Sequence, residues 1–386
     1  MSEKKDFSSL KNLMTRSASD GSIPTSQICI LLQSKVIFSE AFGYLDPETH
    51  KKPADTETLF DLSTLTQLFT ASLFMVLAEQ KTIRKNDFLC KFLPEFSGVR
   101  PVEVYEDRSS PSRLIDVSDG YEGTVDAELT TFRQLLSHTS GLPAWHPFYQ
   151  LKNAAEARKA VLQTGFSYEP GMEVVPSDIG YLLLGWALEA ATGETLAKNF
   201  QKVLFDPLGI KSIAFRPDQS LNKKNIELSA CNIARTEISQ ARGRLLIGET
   251  CDENCAILGG ICGHDGLFGT AREVAEFGDS FLNGQNFLKP DSIASMRDLQ
   301  GTSRNGITNF GLGFRLWSED SAAAFAPLSP KTFGLDGFTG TSLWMDPRRD
   351  LTIALLTNEI YNGRKRRNIK QFRSAVVQAI LEDLKL

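Results

Sequence analysis

The sequence predicts an α+β protein, on three observations. Residues 28–32 (ICILL) and 36–38 (VIF) flank Gln33, Ser34 and Lys35 as the arms of a β-hairpin. Near the other end, 341–345 (TSLWM) and 351–356 (LTIALL) flank 346–350 (DPRRD) as a second hairpin. Between them the patterns are mainly helical. Strands from both chain ends around a helical middle imply a sheet domain built from 1–60 plus 300–386, with a mainly helical domain inserted at 61–299.

In order along the chain, residues 6–19 read as a helix and the first hairpin follows. The stretch that organises the rest is 58–80, TLFDLSTLTQLFTASLFMVLAEQ. An extended Leu59, Phe60, Asp61 and Leu62 gives way to hydroxyls. Apolar residues then recur at helical spacing through Leu65, Leu68, Phe69, Leu73 and Val76. This is a long buried helix whose first turn carries Ser63, Thr64 and Thr66. A hydroxyl there can accept an orphan backbone N–H as an N-cap. It can also act as a nucleophile, because the same free N–H groups and the positive dipole end would steady an oxyanion. Position alone leaves both open.

Residues 98–128, rich in Glu, Asp, Ser and Gly, read as a solvated loop insertion, with a lid or partner-binding segment as the alternative. The apolar stretch 179–191 is too short to span a bilayer and contains Glu189. A closing amphipathic helix covers about 368–384.

Composition narrows the function classes. With 386 residues, 41% hydrophobic and 23% charged, the chain can bury a sizeable core. A net charge of −5 argues against a nucleic-acid or anionic-membrane surface. The basic N-terminal residues are followed by no apolar run, so no secretory signal is expected and the protein reads as cytoplasmic. Six cysteines, Cys29, Cys90, Cys231, Cys251, Cys255 and Cys262, fit thiols in a reducing compartment better than a disulfide scaffold.

The wording of 58–80 resembles the first active-site motif of the serine β-lactamases, penicillin-binding proteins and their esterase relatives, which reads like LFDLASLTKxFTA. Two further stretches carry the resemblance: 132–143 (FRQLLSHTSGLP) looks like LLxHTSGLP, and 259–270 (GGICGHDGLFGT) is close to GGxxGHAGLFxT. The resemblance covers most of the chain. It implies an antiparallel β-sheet flanked by terminal helices, an inserted helical lobe and a cleft between them.

The reactive identities do not follow. Laid on the motif, the nucleophile position is Thr64 and the lysine position Gln67. The family's Tyr-x-Asn or Tyr-Ser-Asp loop falls on Pro176, Ser177 and Asp178, and proline has neither a titratable group nor a donor. The Lys-Thr-Gly or His-x-Gly strand falls on 333–341 (FGLDGFTGT), with Leu335 at the basic position and Asp336 beside it. Glycines 334, 337 and 340 still permit close approach, and Phe338 resembles the source of the second oxyanion N–H. The expected ligand cleft is therefore Thr64, Gln67, Ser177, Asp178, Asp336, Gly337 and Phe338.

Two functions remain. The first is a cytosolic binding or regulatory protein without turnover, holding a small-molecule or peptide ligand. The second is a rewired esterase or amidase using Thr64 or Ser63 with an activator such as Asp178.

Other candidates are weaker. Cys251, Cys255, Cys262 and His264 do not have a standard zinc spacing, and no metal or cofactor is expected. His138 reads as a hydrogen-bonded structural histidine at a helix end; His50 and His146 lack companions. The basic run Arg364, Lys365, Arg366 and Arg367, with Lys370 and Arg373 beyond it, reads as a solvated face or a surface for an acidic protein partner.

Overall fold

The computed structural model describes residues 6–108, 110–222, 231–284, 287–320, 325–365 and 368–386. In chain order the main elements are α1 (Ser8–Ser19), β1 (Thr25–Leu32), β2 (Lys35–Gly43), α2 (Thr66–Glu79), α3 (Asp178–Thr192) and α4 (Ala271–Asn283). They continue with β3 (Gly301–Thr302), β4 (Asn309–Phe310), β5 (Arg315–Leu316), β6 (Phe333–Asp336), β7 (Ser342–Asp346), β8 (Leu351–Thr357) and α5 (Ile369–Leu384). One eight-stranded antiparallel sheet runs β3-β4-β5-β6-β7-β8-β1-β2. The N-terminal hairpin thus completes a sheet begun by C-terminal strands. Both hairpins expected from the sequence are present.

The period-two alternation of the strands sorts their side chains between two cores. Ile28, Ile30, Trp344, Ile353 and Leu355 face one way, packing with Leu10 and Met14 of α1 and Val376 and Ile380 of α5. Cys29, Leu31, Leu343, Met345 and Ala354 face the other, joining Phe277 and Phe281 of α4 and the helical core. Helix α2 lies inside that core, every side chain from Thr66 to Met75 buried. A helix apolar all round is stable only when surrounded, and α2 is.

The start of α2 differs from the expectation of one continuous helix. Ser63–Leu65 form a separate 3₁₀ turn, and no side chain caps either it or α2. Helix α3 behaves more simply. Ser177 caps its N-terminus, its Oγ accepting from Gly180 N at 3.1 Å, and Gly193 ends it at φ 70°. A Cβ on Gly263 would lie 2.2 Å from Tyr181 O, so only glycine lets the 259–266 turn press onto α3.

Two loop expectations are corrected. The 98–128 insertion is not a plain solvated loop: Val99–Pro101 pairs with Thr124–Asp126, and Tyr105–Asp107 pairs with Ser110–Ile115. Its base is tied down by buried Arg100, which donates to Thr164 O and Leu162 O, both at 2.7 Å. Ser109 lies outside the described residues.

The basic run is not a solvated face throughout. Arg364 is half-buried against Glu237 (2.5 Å) and Glu253 (3.0 Å). Arg373 is buried, donating to Gly337 O at 2.8 Å and Thr341 O at 2.6 Å. Lys365 and Lys370 are exposed; Arg366 and Arg367 lie outside the described residues. Buried carbonyls and carboxylates must be paired, and these arginines pair them. Among the described residues no helix is long and apolar enough to cross a membrane.

Candidate functional site

The site forms where the start of α2 meets the 259–266 turn, the N-terminus of α3 and the turn after β6. Two hydroxyls of the turn between β6 and β7 hold it together: Thr339 Oγ1 donates to Asp61 O at 2.9 Å and Thr341 Oγ1 to Leu62 O at 3.2 Å. On the other side Leu62 N donates to Leu267 O at 2.9 Å, and Thr70 Oγ1 to Gly263 O at 2.7 Å.

Ser63 is fully buried and sits at φ 49°, the left-handed region that non-glycine residues rarely occupy. Its neighbours hold it there. Its N–H donates to Asp61 Oδ1 at 2.9 Å and its Oγ to Asp265 Oδ2 at 3.0 Å. Strain of this kind persists only where surroundings over-determine it, commonly at functional sites. Burial, with Asp252 nearby, pushes the Asp265 carboxyl up to about 6 despite the opposing His264. Burial and then Asp265 push Asp61 well above the usual carboxylate range. Thr64, half-buried, makes no side-chain hydrogen bond among the described residues.

From Gln67 a chain of polar contacts crosses the cleft. Gln67 Nε2 donates to Asp178 Oδ1 at 3.1 Å. Arg108 Nη1 donates to Asp178 Oδ2 at 3.1 Å and its Nη2 to Asp252 Oδ2 at 2.7 Å. His264 Nε2 lies 2.9 Å from Asp252 Oδ1. Burial works against the His264 cation, but the Asp252 carboxylate beside it wins and raises its pKa to about 10. Burial likewise works against Asp252 ionising, yet His264 and Arg108 hold it below the usual range. Asp178 is raised, burial outweighing the same two cations. At neutral pH the cluster holds a charged histidine and a charged arginine between two carboxyls.

Arg108 enters from the 98–128 insertion, between its Tyr105–Asp107 and Ser110–Ile115 strands. Its guanidinium carbon lies 4.5 Å from the centre of the Phe338 ring, and that of Arg364 lies 5.3 Å from it. Phe338 itself stands in the turn after β6 rather than on the strand. Gly337 is required there: a Cβ would meet Thr341 Oγ1 at 2.0 Å.

Several expected cleft residues point elsewhere. Strand alternation sends Leu335 into the inner core and Asp336 to the opposite face, where Trp344 Nε1 donates to it at 3.2 Å and Arg315 and Arg373 pair with it at 3.3 and 3.6 Å. The negative charge expected beside the basic position is therefore compensated away from Leu335. Ser177 is spent on capping, its Oγ also donating to Pro143 O at 2.6 Å. Pro176 is exposed, so it does not fill the cleft.

His138 is a structural histidine as expected: its Nδ1 accepts from Ser177 N at 3.0 Å, and burial lowers its pKa to about 3. His146 does have a companion, Glu106, at 2.7 Å from its Nδ1, and His50 stacks on Tyr44. Cys29, Cys251, Cys255 and Cys262 are free and buried, Cys90 is free and half-buried, and Cys231 is buried.

Gln67 meets Asp178 directly, and Arg108 links Asp178 to Phe338; Asp252 and His264 join that set unforeseen, and Asp265 stands against Ser63 at the helix start that carries Thr64. One local signal marked Asp265, which stands at the alanine of GHAGLF just as Ser63 stands at the alanine of LFDLAS. Nothing local marked Arg108. The ligand atoms of Asp178, Asp252 and His264 lie within 4.8 Å of one another, a spacing that could hold a metal ion, but Arg108 already supplies a cation to both carboxyls.

Comparison with known proteins places these features in a family. The family profile described as Beta-lactamase matches residues 10–378. A relative from Salmonella typhi named "Putative D-alanyl-D-alanine carboxypeptidase" is 27% identical over 370 residues, covering 88% of this chain and 79% of the relative. One of the same name from Escherichia coli K12 is 26% identical over 372 residues, with the same coverage. Among solved structures, EstCE1, a hydrolase with promiscuous acyltransferase activity, superposes with a TM-score of 0.70 at 23% identity, covering 96% of this chain and 97% of that one. The octameric penicillin-binding protein homologue from Pyrococcus abyssi gives 0.71 at 18% identity, covering 98% and 77%. Likenesses at that identity show a shared fold.

Proposed function

The chain belongs to the Beta-lactamase family, and from that premise we propose that it is a non-catalytic member whose cleft binds a ligand without turning it over. The observation that carries this reading is the surroundings of Thr64. Its hydroxyl has no hydrogen-bond partner among the described residues, and the side chain one turn on is Gln67, an amide that takes up no proton and is engaged by Asp178. The tyrosine and basic positions are the exposed Pro176 and the buried Leu335. Removing one member of a serine triad costs on the order of 10⁴ to 10⁶ in turnover, and here nucleophile, base, shuttle and cation have changed together.

The relatives' named carboxypeptidase activity is accordingly not extended to this chain. We place the protein in the cytosol as a binding or regulatory component, a reading supported by the free thiols of Cys29, Cys90, Cys251, Cys255 and Cys262. The test is covalent labelling. Fluorophosphonate and penicillin probes should give no more adduct with the protein than with Thr64→Ala, and p-nitrophenyl acetate should give no burst. A burst that disappears in Thr64→Ala would end the proposal.

One observation favours a rewired hydrolase: Asp265, raised to about 6, is a base in contact with Ser63 Oγ. Against it, Ser63 is fully buried and its hydroxyl faces the carboxyl rather than the groove. An adduct lost in Ser63→Ala and retained in Thr64→Ala would select this second reading.

A further inference from the structure

The cleft's charge is reversed relative to the resemblance noted in the sequence. That pattern places cations, a lysine and a second basic residue, where this chain has Gln67 and Leu335. What remains on the α3 side is Asp178 and Asp252, and the group lying between them is a guanidinium that reaches in from the 98–128 insertion. Arg108 makes the three contacts by which a protein recognises a guanidinium: one Nη to each of two carboxylates, and its planar face over an aromatic ring.

The fit is incomplete. Arg108 Nε is buried with no partner among the described residues, and so is Nδ1 of His264, which is 1% exposed. Without Arg108, His264 would be the cation left in contact with the carboxyl pair, in a partly buried site reached from the groove, and such a site favours an incoming cation.

We propose that Asp178, Asp252 and the Phe338 ring form a binding site for a guanidinium-bearing ligand, and that Arg108 occupies it as a tethered competitor. This rests on reading the cleft as a binding site, and adds its chemical class and its control. A ligand with a guanidinium group enters when the insertion gives way. Its apparent affinity is reduced by the fraction of molecules in which Arg108 is seated. The shared chemistry can come from a free alkylguanidine or from an arginine side chain in a peptide.

The test uses the full chain and the Arg108→Ala variant, with Arg108→Gln as the substitute if alanine prevents folding. Ethylguanidinium, N-acetyl-arginine amide and the neutral N-acetyl-citrulline amide are titrated at millimolar concentration while thermal stability and binding heat are read. The expected result is binding of both guanidines to the variant about tenfold tighter than to the unaltered chain. The citrulline compound should not respond, and the response should be lost in Arg108→Ala/Asp178→Asn. Tighter binding of the arginine amide than of ethylguanidinium would select the peptide source, and equal binding the free alkylguanidine. Equal response with and without Arg108, preference for acetate, or stabilisation by zinc or magnesium but not by the guanidines would each overturn the proposal. Binding is read without turnover, so a Thr64-dependent acyl adduct would remove the non-catalytic reading and leave this result standing.

Discussion

The two walls of the cleft differ in where they put their charge. The wall formed by α3, residues 252–265 and the insertion concentrates Asp178, Asp252, His264 and Arg108 in one connected set. The wall formed by β6 and its following turn offers the groove the face of Phe338, buries Leu335 in the inner core, and sends its only carboxylate, Asp336, to the far side of the sheet. Both walls keep their backbone geometry, through Gly263 on one side and Gly337 on the other. The difference teaches that one cleft can keep close backbone approaches on both walls while its buried charges gather on one of them, paired with Arg108 and His264.

The contrast is broken most forcefully at Asp252, the buried anion shared by His264 and Arg108. Asp252→Ala leaves two cations without it and should cost about 3–5 kcal/mol in chemical denaturation; a loss under about 1 kcal/mol would mean that the set is not connected as described. On the other wall, Leu335→His does not restore a working cation. The position is 5% exposed within the apolar core, so the imidazole should cost about 2–3 kcal/mol and remain neutral at pH 7, which its chemical shifts in NMR titration would reveal.

Next comes pH. A His264 pKa raised from 6.5 to about 10 means that the folded state binds its proton more tightly than the unfolded state does. Its stabilisation is complete below pH 6.5 and fades as pH rises through 10. The melting temperature should therefore fall over that window, and the slope should flatten in Asp252→Asn, which removes the charge that holds the proton.

The smallest effect is the cleanest. Ser63 and Asp265 both replace alanines of the family pattern and bond each other. A double-mutant cycle with Ser63→Ala and Asp265→Ala should return a coupling of about 1 kcal/mol, since each single change strands a buried polar partner and the double change strands neither.

Much of this molecule was legible as text. The hairpins, α1, α5 and the buried α2 follow from periodicity, and the glycine-rich turns follow from short motifs whose meaning is local. The losses at Thr64, Gln67, Pro176 and Leu335 were equally plain. The helix start is less legible, because a residue at φ 49° has no signature in propensity: Ser63 is held there by Asp61 and Asp265, and only the second of these lies far away in sequence. The side taken by Asp336 is not legible, because a strand's alternation cannot be phased from sequence until one knows which face meets the core.

Alone, then, the sequence determined the sheet-and-helix plan and the absence of reactive groups at their inherited positions, because periodicity and residue identity are properties of neighbours along the chain. Tertiary structure decided what replaced them. Arg108 meets Asp178 across 70 residues and Asp252 across 144, and no local pattern encodes a contact whose energy comes from bringing opposite charges together inside a shielded groove.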